Sequence, residues 1–227
     1  MEVRERNAQG GGAGVGRASV TEELAQHELL LRQGRPAVRV AVARERTLSY
    51  GIAVPSEAPY LRRARAEGIP TAARSTGGSG VLHLEGDLLW AVVLPRSDER
   101  VGRDFPKAYA RLGRGIVAGL AAAGVDAAWV AAPGLSEDCC PLSSRGEVLV
   151  AGGRILGGAA QHATSRALLH HGGISWIVDR PCVDRLFGLP ADGPSSRLGG
   201  LAGLTGPGEP ASTGAVLARA LGDELER

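Results

Sequence analysis

Apolar residues recur at helical spacing from Thr21 through Leu31, behind a Ser19-Val20-Thr21-Glu22 segment whose Ser and Glu fit a capping box. This run stops at Gly34, which predicts a first helix. Residues 37–43 and 47–52 then read as strands, and Ala58 to Glu67 as a short Arg-rich helix closed by Gly68. After Ile69 to Ala73 and a glycine loop, residues 81–84 and 87–94 read as two strands joined in a hairpin. The longest helical period runs from Phe105 to Ala123 and ends at Gly124, before a strand at 126–131. Four short strands are expected at 147–150, 154–162, 167–170 and 174–178, with helical pieces near 183–187 and 213–225. Residues 193–208 form a Gly- and Pro-rich connection. This order predicts an α+β domain, a mixed and largely antiparallel sheet with helices packed on one face. Residues 1–17, polar and glycine-rich, are expected to be a flexible tail, and 18–227 a single domain.

Composition changes the picture at several points. Thirty-four glycines without a regular period point to loops where backbone approaches a ligand or another strand closely. Basic and acidic residues number 26 and 24 and are spread along the chain, which argues against a nucleic-acid partner. Lys107 is the only lysine, so chemistry that needs a neutral side-chain amine has one candidate, because arginine keeps its proton. Cys139, Cys140 and Cys182 are an odd number with two adjacent, which fits a reducing cytoplasm better than a disulfide framework. No run of about 18 apolar residues suggests a membrane span.

Four segments could carry chemistry. Arg74-Ser75-Thr76-Gly77-Gly78-Ser79-Gly80-Val81-Leu82-His83 can present backbone amides to an anion, bracketed by the donors Arg74 and His83. Ala151 to Gln161 sets Arg154 between glycine clusters, where it could clamp a carbonyl or phosphate. As spacing alone, both segments fit plain glycine-rich hairpins equally well. His170 and His171 are adjacent on a strand and face opposite ways, a poor chelate, so no metal is expected. In Asp138-Cys139-Cys140-Pro141 a cysteine near arginines could serve as a nucleophile or be inert.

In this order the segments resemble the lipoate–protein ligase and octanoyltransferase superfamily, across roughly residues 18 to 205. That family carries Arg-x-Ser/Thr-Gly-Gly-Gly-x-Val-x-His, then Lys-Ile/Val-x-Gly-x-Ala-Gln, then His-Gly. Here these are Arg74 to His83 with Ser79 for the third glycine, Arg154 to Gln161, and His171-Gly172; Thr47 to Gly51 looks like the family's early strand. The resemblance implies the biotin/lipoate ligase fold, without the large C-terminal accessory domain of the longer ligases. It implies a substrate-binding set of Arg74, Gly77, Gly78, Ser79, Gly80, His83, Gly157, Ala159, His171 and Gly172. One transferase branch has a pattern like Cys-Phe-Asp-x-x-Ser-x-x-Glu before Gly-x-Lys. Ungapped, it puts Cys139 at the nucleophile, matches Ser144, Glu147 and Gly152, and leaves Cys140 one residue off. Cys182 is near the cysteine of another branch. Arg154 stands where the family has lysine, keeping the charge but losing the ability to shuttle a proton.

The leading expectation is therefore an octanoyltransferase-like enzyme. An octanoyl or lipoyl group passes from acyl carrier protein through a Cys139 thioester to a lysine of a lipoyl domain, with Arg154 at the acyl carbonyl and no cofactor. The acyl tail needs an apolar slot, gaining about 0.8 kcal/mol per buried methylene. The alternatives are a lipoate–protein ligase that uses ATP and Mg, and a non-catalytic paralogue that binds an acyl ligand or carrier protein.

Overall fold

A computed structural model describes residues 15–98, 105–131, 134, 138–139, 142, 147–205 and 208–226. Among these residues ten strands form two sheets. The larger contains β1 (Arg17–Ala18), β2 (Ala37–Ala43), β6 (Leu88–Pro95), β7 (Ala127–Ala131), β8 (Glu147–Ala151), β9 (Arg154–Ala163) and β10 (Ala167–Ile174) in the order β1-β2-β6-β10-β9-β8-β7. Only the β1–β2 pairing in this sheet is parallel. The smaller holds β3 (Thr47–Gly51) between β4 (Thr71–Arg74), parallel to it, and β5 (Gly80–His83), antiparallel. Five α-helices accompany them: α1 (Val20–Gln33), α2 (Pro59–Ala66), α3 (Phe105–Ala122), α4 (Arg180–Phe187) and α5 (Pro210–Glu226).

The α+β reading holds, but helices cover both faces of the large sheet instead of one. The sequence of β6, Leu-Leu-Trp-Ala-Val-Val-Leu-Pro, has no polar alternation because both faces are buried. Leu88, Trp90, Val92 and Leu94 pack toward α3 and α5 with Leu112, Ile116, Leu217 and Leu221, while Ala91 and Val93 meet Leu31 of α1. The capping box of α1 forms as expected, with Ser19 and Glu22 each accepting the other's backbone N–H, and Gly34 ends the helix at φ 66°.

Three local expectations are corrected. Residues 15–17, assigned to the tail, join the fold: Arg17–Ala18 pairs with β2, and Val42 N–H donates to Gly16 C=O at 2.9 Å. The rest of that tail lies outside the described residues. The hairpin expected across 81–94 does not form. β5 pairs with β3 and β6 with β2 and β10, so residues 84–87 carry the chain from one sheet to the other. The buried Asp87 carboxylate fixes this crossing by accepting the N–H of Leu84 at 3.0 Å and of Trp176 at 2.8 Å. Finally, 174–178 is not a separate strand. β10 runs unbroken to Ile174 through the two histidines and two glycines, and the chain then turns toward Asp179, which caps α4.

Candidate active site

A cavity of about 890 Å³ lies between the two sheets and is bordered by α1, α2, α4 and their loops. Its size suits a ligand larger than a simple ion. Most of the expected binding set lines it: Arg74, Gly77, Gly78, Ser79 and His83 from one motif, Gly157 and Ala159 from the second, and His171 and Gly172 from the third. Gly80 is buried at the end of the first loop, where an added Cβ would strike the rings of Phe187 and Tyr60. Cys139 lines the cavity as well.

The glycine loop is shaped by its neighbours, since Gly77 and Gly78 have no side chains to fix them. Gly78 adopts φ 94°, open to glycine at little cost. Beneath it the buried Arg74 guanidinium donates to Gly77 C=O at 3.2 Å, to Ser79 C=O at 2.8 Å and to Ser49 Oγ at 2.8 Å. Arg74 is therefore engaged in holding the loop's carbonyls. With the Gly77 carbonyl turned to Arg74, the trans peptide plane turns the Gly78 N–H the other way. Gly51 packs so closely that a Cβ there would sit 2.1 Å from the Gly78 carbonyl oxygen, which explains the small residue at the end of β3.

His83 is buried, and its Nε2 lies 2.8 Å from Ser49 Oγ. Burial, with the nearby Arg74 charge, pushes its pKa down to about 3, so it is neutral at ordinary pH. Ser49 Oγ accepts from Arg74 and shares its second bond with His83 Nε2, joining the arginine and the histidine through one hydroxyl. Asp87 is pushed the opposite way, up to about 7, because burial disfavours its charge more than the Leu84 and Trp176 amides favour it.

The second and third motifs meet on adjacent strands, where His171 pairs with Ala160, Gly172 with Ala159 and Gly173 with Gly158. Glycine here allows close approach of backbones: a Cβ on Gly157 would lie 2.0 Å from the Gly173 carbonyl oxygen. As the strand alternation predicts, the two histidines diverge. His170 turns to the helical layer, its ring 5.0 Å from Trp90 and 4.7 Å from Tyr109, whereas His171 turns to the cavity. No cluster of metal-binding side chains occurs among the described residues.

Cys139 is 2% exposed, and its backbone forms a parallel bridge with Gly80, whose N–H donates to Asp138 C=O at 3.0 Å. The candidate nucleophile is thus tied by main chain to the end of the glycine loop. Cys140 and Ser144 lie outside the described residues, as does the side chain of Glu147. Cys182 packs into the apolar cluster with Leu61, Leu186 and Phe187, away from the cavity wall, and burial followed by Asp179 pushes its thiol pKa up.

Arg154 is placed differently from the expectation. It is exposed at the first position of β9, its guanidinium donates to the Ser196 carbonyl, and it does not line the cavity. The preceding Gly152 and Gly153, at φ 54° and 73°, make a tight turn that sets it at the sheet's rim. As placed here, Arg154 makes no contact that supports a role at the acyl carbonyl.

Sequence reading missed Glu23, His27 and Thr76. Glu23 and His27 share the buried face of α1 with Val20 and Leu31, at spacings of three and four. Polar residues on an apolar helical face were the available signal.

A family model for the lipoyl protein ligase A/B catalytic domain matches residues 19–193. The chain belongs to this family. Members of the lipoyl ligase family resembling it include octanoyltransferase LipM of Geobacillus kaustophilus (strain HTA426), 30% identical over 148 residues, 61% of this chain and 52% of that protein. Octanoyltransferase LipM of Macrococcus caseolyticus (strain JCSC5402) is 31% identical over 174 residues, 70% of this chain and 61% of that protein. The chain thus spans about half the length of the first of these curated relatives. Among solved structures, a lipoate-protein ligase A bound with ATP superposes with a TM-score of 0.74 at 23% identity, covering 93% of this chain and 83% of that one. The bipartite lipoate protein ligase of Thermoplasma acidophilum, studied with its E2 lipoyl domain, gives 0.73 at 20%, over 94% and 84%. These superpositions establish that the chain has the lipoate ligase fold. No helix among the described residues is long and apolar enough to cross a membrane.

Proposed function

We propose that this chain is an octanoyltransferase that carries its acyl group on Cys139. The observation that carries the reading is Cys139 in the cavity wall, bridged to Gly80 at the end of the glycine loop. The partial relatives named octanoyltransferase support it.

The Cys139 thiolate attacks the carbonyl carbon of an acyl thioester on acyl carrier protein. As the new C–S bond forms, the carbonyl oxygen takes negative charge, and collapse breaks the bond to the carrier sulfur, which leaves and takes up the proton that Cys139 gave up. The ε-amine of a lipoyl-domain lysine then attacks the Cys139 thioester; an amide forms, the Cys139 sulfur leaves, and it regains the proton lost by the amine. Backbone N–H groups of the Gly77–Gly78 loop stabilise both oxyanions, a contribution worth about 3 kcal/mol per donor in comparable sites. Leu24, Leu89 and Ile155 supply apolar wall for the acyl chain. Gly173, where an added Cβ would approach His83 in the cavity, keeps room for it. Neither cofactor nor metal takes part.

The test is intact-protein mass after incubation with octanoyl-loaded acyl carrier protein, without ATP, for wild type and for Cys139→Ser, Cys140→Ser and Cys182→Ser. A hydroxylamine-sensitive octanoyl adduct lost only in Cys139→Ser is expected. Wild type without an adduct would refute this reading. Lipoate and ATP with Mg and a lipoyl domain then decide whether the chain acts as a ligase.

A further inference from the structure

A buried polar chain runs into the cavity wall at His27 and His171, and the transfer steps above do not use it. The Arg39 guanidinium, 31% exposed, holds Glu23 with two hydrogen bonds of 2.6 and 2.9 Å. Glu23 is fully buried; burial works to raise its pKa, but the bonds from His27 and Arg39 outweigh this and hold it below the usual value. Its Oε1 lies 3.2 Å from His27 Nε2, His27 Nδ1 lies 3.1 Å from His171 Nδ1, and His171 Nε2 lies 2.8 Å from Thr76 Oγ1. Glu23, His27, His171 and Thr76 are each at most 3% exposed.

Hydrogen-bond arithmetic fixes the protons. An ionised carboxylate only accepts, so His27 carries its proton on Nε2. With a single proton on its ring, His27 offers a lone pair at Nδ1, and the 3.1 Å contact then takes the proton of His171 from its Nδ1. His171 Nε2 becomes the acceptor, and Thr76 must donate its hydroxyl proton to it. Burial first, then the neighbouring cationic groups, hold the His171 pKa well below the usual histidine value, so this ring keeps a single proton.

Thr76 immediately precedes the two glycines. Its carbonyl accepts Ile52 N–H at 3.0 Å, and Arg74 holds the carbonyls on the far side. Gly77 and Gly78 therefore take their position from anchors on either side, and the Thr76 hydroxyl is the anchor that reaches β10.

We propose that His27 and His171 are positioning residues, a tautomer-locked chain that holds the Gly77–Gly78 loop at the acyl carbonyl through the Thr76 hydroxyl. The kinetic consequence rests on the octanoyl-transfer reading; the tautomer pattern does not.

The test has two parts on the full chain. Side-chain nitrogen NMR of the wild type is expected to show His27 protonated on Nε2 and His171 on Nδ1; the reverse pattern would overturn the proposal. Thr76→Val is then compared with Thr76→Ser. Thr76→Val should displace the Gly77 and Gly78 amide resonances and lower kcat for Cys139 acylation about tenfold, with KM within about twofold, as loop misplacement does. Thr76→Ser, which keeps the donor, should restore both. Wild-type kcat and unmoved glycine amides in Thr76→Val would overturn the relay. If Thr76→Val does not fold, His27→Phe breaks the chain one link earlier and is read in the same way. Should wild type form no adduct, the transferase reading fails by itself, and the tautomers and glycine amides still decide the relay.

Discussion

Arg74 offers the sharpest check on how the glycine loop is held. Arg74→Leu keeps an apolar side chain in the space but removes every donor, leaving the carbonyls of Gly77 and Ser79 without the partner they have here. Both bonds are only part-buried, so each orphaned acceptor costs about 1 kcal/mol, the low end for buried groups. Ser49 keeps its bond to His83 but loses the one from Arg74, and release from burying a cation offsets part of the loss. The expected destabilisation is about 2 kcal/mol. Arg74→Lys retains the charge but not the planar fork, so one nitrogen must choose among acceptors now served by two, and about half that loss is expected. Urea unfolding followed by tryptophan fluorescence measures both. The same variants move His83. Because its folded pKa of about 3 is below the unfolded 6.5, His83 contributes stability above pH 6.5 that is lost progressively as pH falls toward 3. Burial is the larger cause and Arg74 the second, so Arg74→Leu should raise the His83 pKa while leaving it below 6.5, and the acid loss should shrink. An Arg74→Leu protein unfolding within 1 kcal/mol of wild type, with His83 titrating unchanged, would refute the reasoning.

Other expectations follow from single observations. Asp87, raised to about 7, contributes stability that is complete below pH 4 and is lost as pH rises toward 7; Asp87→Asn should flatten that slope in pH-dependent unfolding, while costing about 1–3 kcal/mol for a carboxamide facing two N–H donors. Gly157→Ala must push β9 from β10, because the new Cβ meets the Gly173 carbonyl at 2.0 Å; a loss of about 3 kcal/mol or more, read calorimetrically as a fall in Tm of about 6–12 °C, is expected. Arg154→Ala should change stability by under about 0.5 kcal/mol and leave the rate of Cys139 acylation at the wild-type level in the mass assay, since its guanidinium reaches only the Ser196 carbonyl at the rim.

What the sequence made legible follows from where the determining contacts lie. The capping box of α1 and its Gly34 stop rest on neighbours within four residues, and they were readable. The divergence of His170 and His171 follows from strand geometry alone. The three motifs were found because each is one contiguous segment, and the fold brings them to one cavity as the resemblance implied. The hairpin over 81–94 failed because Asp87 is satisfied by Trp176, 89 residues away, a partner that local turn chemistry does not reveal. The histidine chain was hidden for the same reason. Its middle bond spans 144 residues and its last 95. Arg154 shows a different limit. Motif alignment fixes a residue's place along a strand, but the direction of its side chain depends on the turn before it, and here two glycines with positive φ leave it at the rim. The charge at that motif position and the charge near the acyl group are therefore separate questions. In this chain Arg74, inside the cavity and bound to the loop's own carbonyls, is the arginine whose loss reaches the proposed chemistry.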